Sequence, residues 1–318
     1  MGDIQACRVF KVSGVRELIE KYKPAFSFEK TEACRVIGNC SATTGKPDFE
    51  KFEDLYIEPR IHGTKLKPHD VFKYLVERGV FRVGLKLRCS NCELEFWQAL
   101  DYVKTKTTCE YCGTKFDVTR QLSDRNWAYR RSGIFGNDDH QGGGVPVALT
   151  LQQLDSMSML GENIYITGTN LKNMDATKGL IRDCEADFIM LSQHHNTGIS
   201  IVIAECKANS KVTDIDVKNL ANVADILERH GIHAYILFSK LSDFSEEEIQ
   251  NIQSAQHEYL KRIILLTSRE LEKWFIYEDD EKIYDIDMHA VSWADMAENT
   301  DRIFFQKRLK PLKHAGDS

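Results

Sequence analysis

An α/β fold is what this sequence predicts: a mixed β-sheet flanked by helices in the C-terminal half, preceded by a small four-cysteine ribbon and an N-terminal α+β region of poorly defined pattern. Three observations lead there. Between residues 146 and 270, Val/Ile-rich runs of strand length alternate with amphipathic stretches. Two Cys-x2-Cys pairs stand upstream, and an amphipathic helix followed by an alternating strand runs straight into the first of them. The boundaries that follow are 1–85 for the N-terminal region, 86–120 for the ribbon, 121–145 for a linker, 146–276 for the sheet domain and 277–318 for an acidic segment with a basic tail. With 318 residues the chain is about twice the usual single-domain length and long enough to bury a core without staples.

At the N-terminus the periodicity supports only a short helix around 14-GVRELIEKYK-23 and a loop at 38-GNCSATTGKPDF-49. Pro68 opens the helix 69-HDVFKYLVERG-79, with Val71, Phe72, Leu75 and Val76 on one face and Gly79 as its stop. The strand 80-VFRVGLKLRC-89 leads to Cys89 and Cys92, and after sixteen intervening residues come Cys109 and Cys112. Each tight turn offers two sulfurs, so the four can take the corners of a tetrahedron around Zn²⁺, with Gly113 supplying the positive φ that such a turn needs. A shell closed by four cysteines leaves no open position, so that zinc is expected to be structural. The stretch 125-RNWAYRRSGIFGNDDHQGGG-144, rich in glycine and arginine, reads as a linker, with a basic aromatic contact surface as the alternative.

The sheet domain begins with a helix at 146–157 and continues as strands at 163–171, 185–191 and 199–206. A helix at 214–231 buries Leu220, Val223, Ala224 and Leu227, and strand 232–240, helix 245–261 and strand 262–268 complete the unit. Two of the strands carry charge where apolar residues belong. Asp187 sits in 185-EADFIML-191, and Glu205 and Lys207 end 199-ISIVIAECK-207. Burying such groups is costly, so a chemical role is the economical explanation. Glu205 and Lys207, two apart, share a strand face, and pairing of the two strands as a hairpin would bring Asp187 to them. Two close carboxylates repel unless a cation sits between them, and an oxygen donor set of this kind, completed by the Cys206 carbonyl, suits Mg²⁺ or Mn²⁺. Such a cation polarises a phosphate and Lys207 can orient water or offset developing charge, which together make phosphodiester hydrolysis. Glu185 is an accessory candidate on the same face. His194 and His195 read as loop histidines of the hairpin.

Asp187, seventeen intervening residues and Glu205-Cys206-Lys207, followed by an amphipathic helix, resemble the PD-(D/E)xK nuclease superfamily, in particular its Mrr-like and Holliday-junction-resolvase-like branch. The resemblance covers residues 146 to 270 and implies a restriction-endonuclease-like mixed sheet, a DNA endonuclease dependent on Mg²⁺ or Mn²⁺, and restriction, phage defence or repair as settings. Ala186 stands where members often have proline. Asp155 and Glu162 are the candidates for a helix-borne acid before the sheet. Among Lys218, Asn219 and Asn222, Asn219 is the choice for a polar helical residue facing the site.

Composition and charge limit the alternatives. Net charge is −6, which argues against a surface that grips nucleic acid everywhere. Residues 278–301 hold nine acids against one lysine and read as solvated, whereas 302–314 hold five Lys/Arg and no acid. No run spans a bilayer, no signal-peptide pattern opens the chain, and Ala6 stands where a myristoylation signal wants Ser or Thr, so a cytoplasmic or nuclear protein without membrane contact is expected. Cys184 and Cys206 fall in strands, while Cys7, Cys34 and Cys40 have no metal-site spacing. No P-loop occurs, so a motor or sensor would come from a partner protein. A homodimer would suit cleavage of both strands of a duplex, and single-stranded DNA is a second candidate substrate. The competing functions are a non-catalytic nucleic-acid- or partner-binding protein working through the ribbon, and a zinc hydrolase, which would need an incomplete zinc shell.

Overall fold

Apolar runs such as 199-ISIVIA-204 and 188-FIML-191 are what a sheet covered by helices on both faces requires, and the chain folds accordingly. The computed structural model describes residues 2–39, 49–55, 57, 64–122, 127–136, 141–156, 162–172, 184–194, 198–256 and 261–306. Two units result, Met1–Gln141 and Gly142–Ser318. The loop at 40–48, His195 and the basic tail from 307 lie outside the described residues.

The first unit contains α1 (Ser13–Lys21), β1 (Phe28–Glu29), α2 (Lys30–Asn39), α3 (Pro68–Glu77), β2 (Phe81–Arg88), β3 (Glu95–Ala99), β4 (Lys106–Thr108), β5 (Lys115–Asp117) and β6 (Trp127–Arg131). An antiparallel sheet runs in the order β1-β6-β2-β3, and β4 and β5 form a separate hairpin. Phe28 meets Phe81 edge-on at 5.1 Å and Phe72 meets Tyr129 at 4.8 Å, an aromatic core between the sheet and α3. The structure corrects the linker expected at 121–145. Residues 127–131 form β6, paired on both sides by β1 and β2, and Arg131 is buried with its Nη1 donating to the Ile19 carbonyl at 3.1 Å. Arginine and glycine concealed a central strand whose buried members are Ala128 and Tyr129.

The second unit contains α4 (Gln141–Ser156), β7 (Glu162–Leu171), β8 (Cys184–His194), β9 (Gly198–Lys207), α5 (Asp214–Arg229), β10 (His233–Lys240), α6 (Glu246–Gln253), β11 (Ile263–Leu266), α7 (Ser268–Leu271), α8 (Glu281–Tyr284) and α9 (Trp293–Thr300). Its sheet has the order β11-β10-β9-β8-β7. β7, β8 and β9 are antiparallel, whereas β9, β10 and β11 are parallel because α5 and α6 serve as crossovers. The expected mixed sheet flanked by helices is therefore present. Val217, Leu220 and Ala224 of α5 pack on Ile203, Ile236 and Phe238 of the sheet. On α4, Thr150 reaches the sheet and donates to the Ser239 hydroxyl at 2.8 Å.

Residues 278–301 are not the solvated segment that their charge suggests. Trp293, Met296, Ala297 and Thr300 are buried, and the Leu265 amide donates to the Thr300 hydroxyl at 3.0 Å. Asp280 is itself fully buried, and burial reinforced by the charge of Glu270 pushes its carboxyl up to about 7. A tryptophan, a methionine and an alanine at helical spacing outweigh the acids around them.

Candidate functional site

Two side-chain clusters have the chemistry to hold a metal, one in each unit. In the first unit the Cβ positions of two tight turns fix the four cysteines. The Cys89 amide donates to the Leu94 carbonyl at 3.0 Å and Glu93 donates back to the Cys89 carbonyl at 3.1 Å; Cys109, Thr114 and Gly113 repeat the pattern at 2.9 and 3.0 Å. The Asn91 and Tyr111 amides each donate to the sulfur two residues before, at 3.4 Å. Gly113 has φ +71°, as expected, and the equivalent position in the first turn is Glu93 at +61°. Across the turns Cys89 and Cys112 approach to 3.7 Å and Cys92 and Cys109 to 3.6 Å, with all four ligand atoms within 4.8 Å of one another. Hydrogen bonding with Thr114 draws the Cys112 thiol down to about 5, whereas Cys92, against the pull of the Leu94 amide, is pushed up to about 12 by burial and the neighbouring thiols. The quartet fits a tetrahedral ion such as zinc, and leaves it no open position.

The second cluster sits at the ends of β8 and β9. Register pairs Phe188 with Ala204, so one step further along the antiparallel ladder Asp187 stands opposite Glu205. Gly168, at φ +60°, lies across from Asp187 on β7, in a gap between the pairs Thr167–Phe188 and Thr169–Ala186. Asp187 accepts the Cys206 amide at 2.6 Å, and Lys207 is hydrogen-bonded to Glu205. Burial raises the Asp187 carboxyl against the pull of the Cys206 amide. Burial likewise pushes Glu205 up to about 6, the Lys207 bond opposing and the charge of Asp187 adding to it. Burial works against the Lys207 charge, but Glu205, Asp216 and Asp187 together raise its pKa. Cys206 points the other way, into the buried layer beside Thr150, and burial lifts its thiol far above the usual range. It can serve the site only through its carbonyl.

Of the remaining sequence candidates, Glu185 is exposed and adds its charge to the field at Asp187. Asn219 is half-buried on α5, and among the described residues no hydrogen bond joins it to the trio. The polar residue of α5 that meets the site lies about one turn before Asn219. Asp216 places Oδ2 at 3.7 Å from the Lys207 ammonium. It is held there by a capping box, the Thr213 amide donating to Asp216 at 2.8 Å and the Asp216 amide donating to Thr213 Oγ1 at 3.3 Å. A second unforeseen pair flanks the site on the neighbouring strand. Lys240, the register partner of Lys207 on β10, is buried with Glu248, at 3.0 and 3.1 Å. Glu248 also accepts the Val212 and Ser245 amides, both at 2.9 Å, so it ties the loop after Lys207 to the start of α6.

Among the described residues the cysteines are the group of three or more His, Cys, Asp or Glu ligands that converge. The acids instead present two facing carboxylates, Asp187 bonded to the Cys206 amide and Glu205 to Lys207, an oxygen-only donor set in a partly buried place. That fits a hard divalent cation which keeps part of its water shell, and does not fit zinc.

No protein-family model matches this chain, and no curated protein matches it. Among solved structures, it is similar to the small subunit of the heterodimeric restriction endonuclease R.BspD6I, at 14% identity over 43% of this chain and 71% of that one, with a TM-score of 0.27. It is also similar to protein VC1899 from Vibrio cholerae, at 11% identity over 60% of this chain and 44% of that one, with a TM-score of 0.30. Such scores lend no weight to either reading of the site, which stands on its own geometry. No helix among the described residues is long and apolar enough to cross a membrane.

Proposed function

We propose that the second unit is a Mg²⁺- or Mn²⁺-dependent DNA endonuclease, with Asp187, Glu205 and the Cys206 carbonyl holding the cation and Lys207 acting on the reacting phosphate. The observation that carries this is Asp187 opposite Glu205 across the β8–β9 ladder, with Lys207 bonded to Glu205. A bound cation would polarise the scissile phosphate and acidify water. The chain's own groups do the rest. The two carboxylates repel one another and are desolvated, so they gain most from a cation. With Glu205 engaged by a cation, Asp216 would retain the Lys207 ammonium and keep it charged. Glu185 is the accessory acid of the same face. The cysteine quartet holds a structural zinc.

Plasmid and single-stranded DNA cleavage with Mg²⁺ or Mn²⁺ tests the reading. Wild type is expected to cut while Asp187→Ala, Glu205→Ala and Lys207→Ala do not; cleavage undiminished in all three variants sinks it.

A further inference from the structure

The first unit carries an arginine whose surroundings ask for an anion. In the β2–β6 ladder Arg82 stands directly opposite Arg130, a like-charge pairing that costs stability. Arg82 is answered: Asp101 accepts from its Nε at 3.0 Å and its Nη2 at 2.6 Å, and the Tyr102 ring lies 4.9 Å from the guanidinium. Arg130 is not. Among the described residues no carboxylate is ion-paired with it, its Nε is buried without a hydrogen-bond partner, and burial disfavours its charge, with Glu110 opposing this only from a distance.

Trp97 keeps that guanidinium in place. Its indole lies so close over Gly84 that a Cβ there would come within 2.4 Å of the ring, and its Nε1 donates to the Ala128 carbonyl at 3.1 Å. Arg130 sits over the same ring at 4.9 Å. Lys86, the cross-strand partner of Trp97, is likewise without an ion pair among the described residues. Arg82, Lys86, Trp97 and Arg130 share the face of the sheet opposite to Phe81, Leu85, Leu87 and Tyr129, which form its core.

We propose that Arg130, clamped on Trp97 and assisted by Lys86, is a binding site for backbone phosphates of duplex DNA. A desolvated, fixed guanidinium presents a fork that suits phosphate oxygens. The surroundings favour a polyanion, since nine Lys or Arg stand against five Asp or Glu among the described residues from 81 to 131. The indole has the sheet beneath it and the guanidinium above it, so no ring face is free to stack on a base. Contact is therefore to the backbone and indifferent to sequence. The site needs no divalent cation and no hydrolysis, and goes beyond the cleavage reading.

Fluorescence anisotropy of a labelled duplex with the full chain, without added divalent cation and across a salt series, tests it. Arg130→Gln is expected to weaken binding about five-fold or more and to lower the slope of log K against log salt by about one, and Lys86→Gln to weaken it by about two- to three-fold. Lys211→Gln, on the other unit, should bind as wild type. Thermal unfolding of each variant excludes loss of fold as the cause. Unchanged affinity and slope in both Arg130→Gln and Lys86→Gln, absence of duplex binding by wild type, or a loss seen only with single-stranded probe would each overturn the proposal. Failure of the cleavage reading looks different: the duplex is bound normally and left uncut when Mg²⁺ is added.

Discussion

Lys207 and Lys240 are register partners at the ends of adjacent parallel strands, and each bonds a glutamate, yet the two pairs are opposite in character. Glu248 is saturated. It accepts two backbone amides as well as both contacts from Lys240, and despite its burial these bonds hold it down at about 2. Glu205 has Lys207 alone, and burial with the charge of Asp187 pushes it up to about 6. An ion pair that the backbone completes is cement; one left incomplete beside a second acid keeps unspent capacity for a cation.

Exchanging the substitution between the two lysines gives the largest expected contrast. Lys207→Ala should lower plasmid cleavage by about 10³-fold with little change in unfolding midpoint, an effect on the scale of removing one transition-state donor. Lys240→Ala should instead destabilise the fold, and equal rate losses at matched folded fractions would erase the distinction. Next in size is Glu248→Ala, which strands a buried ammonium and two amides and should cost about 3–5 kcal/mol in urea unfolding. A loss under about 1 kcal/mol would show that the pair is not cement.

Acidity separates the pairs by sign. The folded-state pKa of Glu248 is depressed, so its contribution of about 3 kcal/mol is present above pH 4.5 and lost as pH falls toward about 2. Glu205 is raised, so the folded state binds its proton more tightly and about 2 kcal/mol is lost as pH climbs from 4.5 to about 6. Without divalent cation, Glu205→Gln should abolish the second slope and leave the first; a stability–pH curve identical to wild type between 4.5 and 6 would contradict the assignment. The smallest effect is reserved for Asp216→Asn: about a ten-fold lower single-turnover rate at saturating Mg²⁺ with the half-saturating Mg²⁺ concentration unmoved. Thr213→Ala, which removes the hydroxyl that accepts the Asp216 amide but keeps the backbone amide that holds the carboxylate, should cost about 1 kcal/mol of stability and leave the rate unchanged.

Strand-borne charge and paired cysteines were visible in the sequence because both break a pattern. Asp187, Glu205 and Lys207 interrupt apolar runs, and Cys89, Cys92, Cys109 and Cys112 repeat a spacing. What stayed hidden conforms to a pattern. Asp216 is an acid in the first turn of a helix, and Glu248 is the last residue of a Ser-x-x-Glu cap, so each looks like ordinary helix capping and is that as well. β6 was hidden among glycines and arginines, and Trp293 and Met296 among acids, because only tertiary pairing tells a central strand or a packed helix from a polar stretch.

The pairing of Phe188 with Ala204 also bears on folding fidelity. A slip of one residue between β8 and β9 would separate Asp187 from Glu205, and by the same step it would turn either Phe188 and Met190 or Val202, all fully buried, out of the layer they share. Misregistered chains are thus discarded by the core before the acids are ever consulted. Any molecule that completes its fold arrives with the two carboxylates already matched, and no separate proofreading of the site is required.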